Sequence, residues 1–316
     1  MVPQSSLLIA LVDLIDSLPS PPVKARGGSR GGRPPVYSDR LFLKALVIML
    51  VRNVSTVGGL IAILEQPTWE MQVLRARLGE RGRFPSRRTW ERRLATLPSS
   101  LPARIGCLGR HAVAIDSTVL HARGAFWHKK HRDAGVVPHT SIDTEAGWTK
   151  SGWHGRVYGW KLHLATTVAR VWIPLAAELT PANTADNDPA PRLLDEVPPD
   201  VRFVLGDTHY NDPAVRDHCA GTDRLLVATR RGRYPHTDDG VEVRRVFHQL
   251  RSHAIENFNG HFKGIFDAHG SVPTRGLMRT RRFALGAVLV YQLTLLYRFE
   301  HHQDLRVGLK AFLKAA

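Results

Sequence analysis

The order of strand-like and helical segments in the second part of the chain constrains its fold most strongly. From about residue 108, three strand-like runs follow one another, and helical segments then alternate with two further runs. The strand-like runs cover 112–120, 157–168, 171–179, 201–206 and 224–229. The helical segments cover 189–196 and 213–219, and a third surrounds Glu256. This order predicts an α/β fold in which a mixed sheet is flanked by helices.

The first part of the chain is expected to be helical. Apolar residues recur there at helical spacing over 6–18, 38–50, 55–65 and 86–94. Residues 19–35 are rich in Pro, Gly, Ser and Arg, a composition typical of a flexible linker. We therefore divide the chain into a helical amino-terminal region, residues 1–105, and a second domain, residues 106–316.

The last of these helical stretches is short and basic. Arg88 and Arg92 lie four residues apart and so share one face of a helix, with Arg87 beside them. A basic helix that follows two others is the layout of a helix-turn-helix DNA reader, in which these three arginines contact DNA. The alternative is a solvated, arginine-rich helix that packs Trp90 inward.

The charge of the chain favours a polyanionic partner. Lys and Arg number 44 against 28 Asp and Glu, which gives a formal net charge of +16. Because neutralising phosphates releases condensed counterions, we expect double-stranded DNA as a partner. The alternative is that the charge only keeps the protein soluble.

Cysteine and apolar content point to the cytoplasm. Cys107 and Cys219 are the only cysteines, too few for a disulfide framework or a cysteine zinc site. The apolar run from Leu7 to Ile15 is interrupted by Asp13 and is too short to span a bilayer. We therefore expect a cytoplasmic protein with no membrane partner.

Three carboxylates, Asp116, Asp207 and Glu256, lie where a metal-binding core would need them. Asp116 ends the strand-like run 112–115 and Asp207 ends the run 201–206, whereas Glu256 lies in a helical stretch. Strand ends hold side chains rigidly and open onto solvent. Such acids can hold a pair of hard divalent cations, which cut and join phosphodiesters. For any one acid alone, a role in a turn or a helix cap is the alternative.

The spacing after Glu256 predicts a functional face on its helix. Asn259, Gly260 and Lys263 follow Glu256 by three, four and seven residues, so all four lie on one side. That side offers a metal ligand, an amide, room for close approach and a cation for a phosphate. An ordinary amphipathic helix is the alternative.

Lys161, Arg230 and Arg231 are further candidates for DNA contact. Lys161 lies in a strand-like run next to that of the first acid, and the two arginines lie in a loop. A solvated edge lysine and a solvated turn are the respective alternatives. His209 and Tyr210 directly follow Asp207 and either orient a water or a phosphate, or pack under the strand.

Together these residues resemble the DDE transposases of bacterial insertion sequences, and the resemblance covers most of the chain. The segments that resemble the family's motifs are Gly32–Asp39, Ala114–Thr118, Tyr158–His163, Leu179–Asp186 and Leu205–Tyr210. The third acidic motif of the family has a Glu followed by a Lys after six residues, which Glu256 and Lys263 match. The combination is more specific than any one motif.

The resemblance implies a ribonuclease H-like catalytic domain and a metal-dependent activity. Asp116, Asp207 and Glu256 would bind two Mg²⁺ ions, with Mn²⁺ as a substitute, and Lys263 would steady a phosphate. The enzyme would cut a strand at the end of an insertion sequence, and the freed 3′-hydroxyl would attack target DNA. Because two ends must be held together, the resemblance also implies a homodimer or larger assembly on DNA, in the bacterial nucleoid.

The third motif departs from the family at two positions. The family often carries a Tyr seven residues and an Arg four residues before the Glu, where this chain has Gln249 and Ser252. Arg251 is one place off and is expected on a different helical face, so the role of the family's Arg is not assigned to it. The departure indicates altered handling of a phosphate or a hairpin.

Two other functions are compatible with the sequence. A nuclease or resolvase on the same fold would cut DNA without joining strands. A catalytically inactive, domesticated or decayed protein would bind specific DNA and cut nothing. Strand-joining activity separates the first from a transposase, and metal-dependent cleavage separates the second.

Overall fold

The computed structural model describes most of the chain, with gaps. It covers residues 6–17, 36–95, 111–152, 155–168, 171–228, 238–266, 268–305 and 308–314. For residues 238–248 it describes the helical backbone. No helix within these ranges is long and apolar enough to cross a membrane.

The described strands form one mixed sheet. They are β1 (Ala112–His121), β2 (Gly147–Ser151), β3 (Gly155–Thr167), β4 (Pro174–Pro181), β5 (Phe203–Gly206) and β6 (Leu225–Ala228). β3 pairs antiparallel with β1, β2 and β4, whereas β5 pairs parallel with β1 and β6. This arrangement confirms the predicted fold class, an α/β fold in which a mixed sheet is flanked by helices.

Helices precede, interrupt and follow the sheet. They are α1 (Leu7–Ser17), α2 (Asp39–Val51), α3 (Val57–Leu64), α4 (Trp69–Arg77), α5 (Arg87–Ala95), α6 (Lys129–Asp133), α7 (Ala190–Asp195), α8 (Pro213–Gly221), α9 (Asp238–Ile265), α10 (Leu277–Glu300) and α11 (Leu309–Lys314). The helical amino-terminal region is thus present, as predicted.

The two faces of β1 belong to different apolar clusters. Successive residues of a strand point to opposite faces. Val113 and Ile115 belong to the main core, which also contains buried residues of α7, α8 and α10. Ala114, between them, clusters with Leu205 of β5 and Ile255 of α9. Helix α9 is therefore held against β1 and β5, the two strands that carry or precede the first two acids.

The amino-terminal helices share a core with α10. Buried residues of α1 to α5, Trp90 among them, cluster with Leu289, Val290 and Leu293. Other residues of the same helix, such as Ala284 and Ala287, belong to the core of the sheet. The boundary proposed at residue 105 lies outside the described residues, so the division into 1–105 and 106–316 stays a prediction.

Most predicted elements match the structure, and the mismatches have physical causes. α10 was not predicted because its long middle section, from Phe283 to Leu295, is buried all round and carries no amphipathic period. β2 was not predicted because it lies in the long stretch 121–156, which has no clear alternation. α4, α6 and α11 were also absent from the prediction. Of these five elements, α4, α10, α11 and β2 pack onto others that the sequence pattern did reveal.

The sequence led us to expect that Asp116 ends its strand, but it does not. β1 continues to His121, and Asp116 lies opposite Leu164 of β3 in an unbroken antiparallel register. The predicted strand-like run 112–120 matches β1, whereas the expectation that Asp116 closes the strand was wrong. The backbone groups of Ser117 and Thr118 pair with β3, and only β5, on the other edge of β1, stops before Asp116.

Candidate active site

Asp116 and Asp207 lie side by side because their strands are parallel neighbours. Ala114 of β1 is paired with Leu205 of β5, and each acid lies two residues further along the chain, Asp116 within β1 and Asp207 directly after β5. The charge of Asp207 accordingly raises the pKa of Asp116. The structure therefore brings the first two predicted acids together, at the point where β5 ends and β1 continues.

The Asp116 carboxylate is largely buried and makes two charge-stabilising contacts. Its Oδ1 accepts a hydrogen bond of 2.8 Å from the backbone N–H of Ser117, and its Oδ2 accepts one of 3.1 Å from Nη1 of Arg251. Burial disfavours the charged form and raises the pKa of Asp116 to about 6, although both contacts oppose that rise. A carboxylate in this state gains from an additional cation nearby.

Asp207 caps the turn that follows its strand. Its Oδ1 accepts from the backbone N–H of His209 at 2.8 Å, and its Oδ2 lies 3.0 Å from Nδ1 of the same residue. Glycine is required just before it, since a Cβ at Gly206 would lie 2.8 Å from the Cβ of Tyr210. The backbone thus lets the Tyr210 ring pack under the strand end.

Tyr210 fills the space beneath the acids. Its side chain is completely buried, and its hydroxyl has no hydrogen-bond partner among the described residues. Burial raises its pKa well above the ordinary value, and the charges of Asp116, Asp186 and Asp207 act in the same direction. The phenol is therefore a neutral group within the electrostatic influence of three carboxylates, and packing under the strand is the interpretation that its burial supports.

A fourth acid, Asp186, lies next to this pair. Its Oδ1 accepts from Ser117 Oγ at 2.7 Å and lies 2.9 Å from Nζ of Lys161. Burial opposes the ionisation of Asp186, but these two contacts outweigh it and lower its pKa. Lys161 also donates to the carbonyl of Thr184 at 2.9 Å. Sequence reasoning did not single out Asp186, although it ends one of the family-like segments.

Lys161 is a buried ion-pair partner in this structure. Only 11% of its side chain is exposed, and its ammonium contacts Asp186 and Thr184. It was expected to contact DNA from a strand beside the first acid, with a solvated edge lysine as the alternative. It lies in β3, between β1 and β4, and so not at an edge of the sheet. To reach a DNA phosphate, the ammonium would have to leave Asp186.

Glu256 and Lys263 lie on α9, which packs against the same two strands. Ile255 is buried against β1 and β5, and Glu256 beside it is exposed. Lys263 is half-buried, and burial lowers its pKa. A Cβ built at Gly260 would meet no atom within 4 Å, so the face between Glu256 and Lys263 is open.

Arg251 is a site residue to which sequence reasoning assigned no role. It precedes Glu256 by five residues, and helical spacing alone turns it away from the face of Glu256. Its long side chain nevertheless reaches Asp116, and only 15% of it is exposed. The sequence did carry a signal for this contact, since Arg251 lies one residue from the place where the family usually has its arginine.

Comparison with known proteins decides the family. Residues 108–293, more than half of the chain, match the family model described as Transposase DDE domain. The chain belongs to the DDE-domain transposase family. No curated protein matches it. A solved structure, described as "Cryo-EM structure of piggyBac transposase synaptic complex with hairpin DNA (SNHP)", is similar at 8% identity with a TM-score of 0.41; the match covers 98% of this chain and 76% of that one.

The donor set of this DDE-domain transposase fits a divalent cation in part. Asp116 and Asp207 are adjacent carboxylates, the ligand type that Mg²⁺ and Mn²⁺ prefer. Within the described ranges, however, no three His, Cys, Asp or Glu side chains are close enough to hold one metal ion. Glu256 is therefore not gathered with the two aspartates, and Arg251 holds the oxygen of Asp116 that faces α9.

The basic candidates of the DDE-domain transposase are only partly described. Arg87, Arg88 and Arg92 are exposed on α5, whose buried side carries Trp90. Arg87 pairs with Glu91 at 3.0 Å across one helical turn. Exposed arginines with Trp90 inward are compatible with the DNA-reading helix and with the solvated helix that was its alternative, so DNA contact by these arginines stays a prediction. Arg230 and Arg231 lie outside the described residues.

Proposed function

We propose that the chain is a transposase that cuts DNA at the ends of an insertion sequence and joins them to a target. The observation that carries this proposal is the adjacent pair of Asp116 and Asp207 in a chain of the DDE-domain transposase family. Two neighbouring carboxylates, of which the charge of Asp207 raises the pKa of Asp116, are suited to hard divalent cations.

The acids have distinct roles in the proposed reaction. Asp116 and Asp207 hold the cations, and Glu256 supplies a third carboxylate from α9. Bound Mg²⁺, or Mn²⁺ in its place, supplies Lewis acidity for in-line phosphoryl transfer. Lys263, whose ammonium is half-buried on the open face of α9, steadies a phosphate oxygen.

Arg251 and Asp186 position the acid pair in this proposal. Arg251 neutralises Asp116 from the α9 side, and Asp186 fixes Ser117, whose backbone N–H binds the same carboxylate. Neither group needs to touch the DNA. Their effect is to fix the orientation of Asp116 relative to Asp207.

DNA binding is assigned to basic residues away from the acids. Arg87, Arg88 and Arg92 lie on one exposed helix, Arg230 and Arg231 are proposed as a loop contact, and the net charge of +16 favours a phosphate backbone. Because two element ends must be cut and joined in concert, we propose a homodimer or a larger assembly on double-stranded DNA.

A second candidate function is DNA binding without catalysis. The contact between Arg251 and Asp116 favours it, since a guanidinium already neutralises the first acid in the site. In such a protein, Asp116 would be a structural ion-pair partner. The protein would bind element ends and would leave them intact in the presence of any divalent cation.

Strand joining by the purified protein separates these functions. The substrate is a labelled duplex that carries the DNA flanking the natural gene, with a supercoiled plasmid as target, in Mg²⁺, Mn²⁺ or EDTA. Metal-dependent nicking at one position followed by joining to the plasmid is expected. Nicking without joining would indicate a nuclease, and binding without nicking would indicate the DNA-binding candidate.

A further inference from the structure

A cavity of about 250 Å³ lies between the amino-terminal helices and the last two long helices. α2 and the turn after it form one wall, and the ends of α9, α10 and α11 form the others. This volume is just below the range of roughly 300–1,000 Å³ that is usual for small-molecule sites. The cavity therefore suits a small ligand or a single unit of a polymer.

The lining of this cavity is strongly cationic. It contains Arg52, Arg279, Arg282, Lys310 and Lys314, and no Asp or Glu. Among these, Arg52 is paired with Glu70. Neither Arg279 nor Arg282 has a hydrogen bond or an ion pair within the described residues, so the positive charge of the cavity is not balanced there.

Arg282 is the cation that most needs a partner. Burial lowers the pKa of its guanidinium, and the neighbouring charge of Arg279 lowers it further. A nearby opposite charge favours the charged form of a partly buried group. Arg282 is partly buried and Arg279 is exposed, and both line the same cavity, so together they offer a site for an anion from outside the chain.

The floor of the cavity is apolar, which bears on what kind of anion fits. Leu46, Leu50, Phe266, Phe283 and Val290 line it. A free inorganic anion would leave this surface uncovered, whereas a ligand with an apolar planar group beside its charge would cover it. A nucleotide combines such a group with a phosphate, and the planar fork of arginine matches phosphate geometry.

We propose that this cavity binds one nucleotide of a DNA strand, with its phosphate on Arg279 and Arg282 and its base or sugar on the apolar floor. The proposal rests on the DNA-binding function proposed above, and it assigns a second DNA contact at the carboxyl-terminal end of α9. We assign the occupant to a strand rather than to a free nucleotide because α2 and α10 also belong to the core that carries the basic helix α5.

The test measures binding of a fluorescein-labelled single-stranded hexanucleotide by anisotropy in EDTA, at several salt concentrations. Arg282→Gln is expected to weaken binding about tenfold and to reduce the salt slope by about one. Arg202→Gln, an exposed arginine beside β5 that does not line the cavity, removes the same charge and should change affinity less than twofold. An abasic hexanucleotide should bind the wild type more weakly than the normal one.

Each result bears on the proposal. Equal losses in Arg282→Gln and Arg202→Gln would mean general charge attraction and would overturn it. Competition by free thymidine monophosphate at the same concentration as the hexanucleotide would overturn the assignment to a strand. Arg279→Gln, at an exposed position, repeats the test if Arg282→Gln lowers the melting temperature. Because EDTA prevents cleavage, failure of the proposed catalysis does not alter this measurement.

Discussion

Asp116 combines burial with a neighbouring like charge. Burial raises its pKa to about 6, Asp207 and Asp186 add to the rise, and Arg251 and the Ser117 N–H reduce it. The unfolded chain loses the same proton near pH 4, the ordinary value for an aspartate. The folded protein therefore holds this proton more tightly than the unfolded chain does, and ionisation of Asp116 opposes folding.

Asp116→Asn should stabilise the protein at high pH when divalent cations are removed. Because the pKa of Asp116 is raised in the folded state, the free energy of unfolding of the wild type falls as the pH rises from about 4 to about 6. Above that range the whole loss is present. The variant should exceed the wild type by about 1–3 kcal/mol at pH 8 and equal it near pH 4, in urea unfolding with EDTA. A variant that is less stable at pH 8 would mean that the contact with Arg251 outweighs burial.

Lys161 and Asp186 should behave as one buried pair. Lys161→Met and Asp186→Asn each leave one poorly solvated charge without its partner, so each should cost about 3 kcal/mol of unfolding free energy. The double variant should cost at least about 1 kcal/mol less than the two single losses added together. The pair of the exposed Arg192 and the partly buried Glu178 serves as the control, with a coupling below about 1 kcal/mol. Additive losses for Lys161 and Asp186 would mean that the two side chains do not stabilise the fold as a pair.

At the scale of elements, the strands and the helix α9 could be predicted because their burial patterns are simple. Ile255 and Phe258 are buried and Glu256 is exposed, as an amphipathic helix requires. The contact of Arg251 with Asp116 could not be predicted, because it depends on where α9 crosses β1 and on a long, flexible side chain. Asp186 was missed because its partners, Ser117 and Lys161, are distant in sequence and meet only in the folded sheet.

Helix α10 ties the amino-terminal helices to the sheet, so residues 106–316 alone should fold poorly. Removal of residues 1–105 would expose Leu289, Val290 and Leu293, which α1 to α5 cover in the intact chain. The truncated protein should bind a hydrophobic dye and lose its cooperative thermal transition. A cooperative transition in the truncated protein would mean that the sheet domain folds alone.

Arg88→Gln with Arg92→Gln, in the full chain, should weaken DNA binding without a change in melting temperature.

At the scale of the whole molecule, the sequence predicted the family better than the details of the site. A net charge of +16 and three acids in a recognisable order indicate DNA and phosphoryl transfer. The adjacency of Asp116 and Asp207 followed from two strands that pair in parallel. The position of Glu256 relative to them depends on the placement of α9, which strand and helix periods do not determine. Its role as the third acid stays a prediction.

The measurement that tests the central claim most directly is single-turnover cleavage of the labelled flanking duplex in Mg²⁺ by acid variants. Asp116→Asn, Asp207→Asn and Glu256→Gln are compared with Asp217→Asn, which removes an exposed acid on α8. We predict that the first three variants lose at least about 100-fold in cleavage rate and still bind the duplex, whereas Asp217→Asn cuts like the wild type. Cleavage by Asp116→Asn or Asp207→Asn at the wild-type rate would contradict the assignment of the paired aspartates as the catalytic centre.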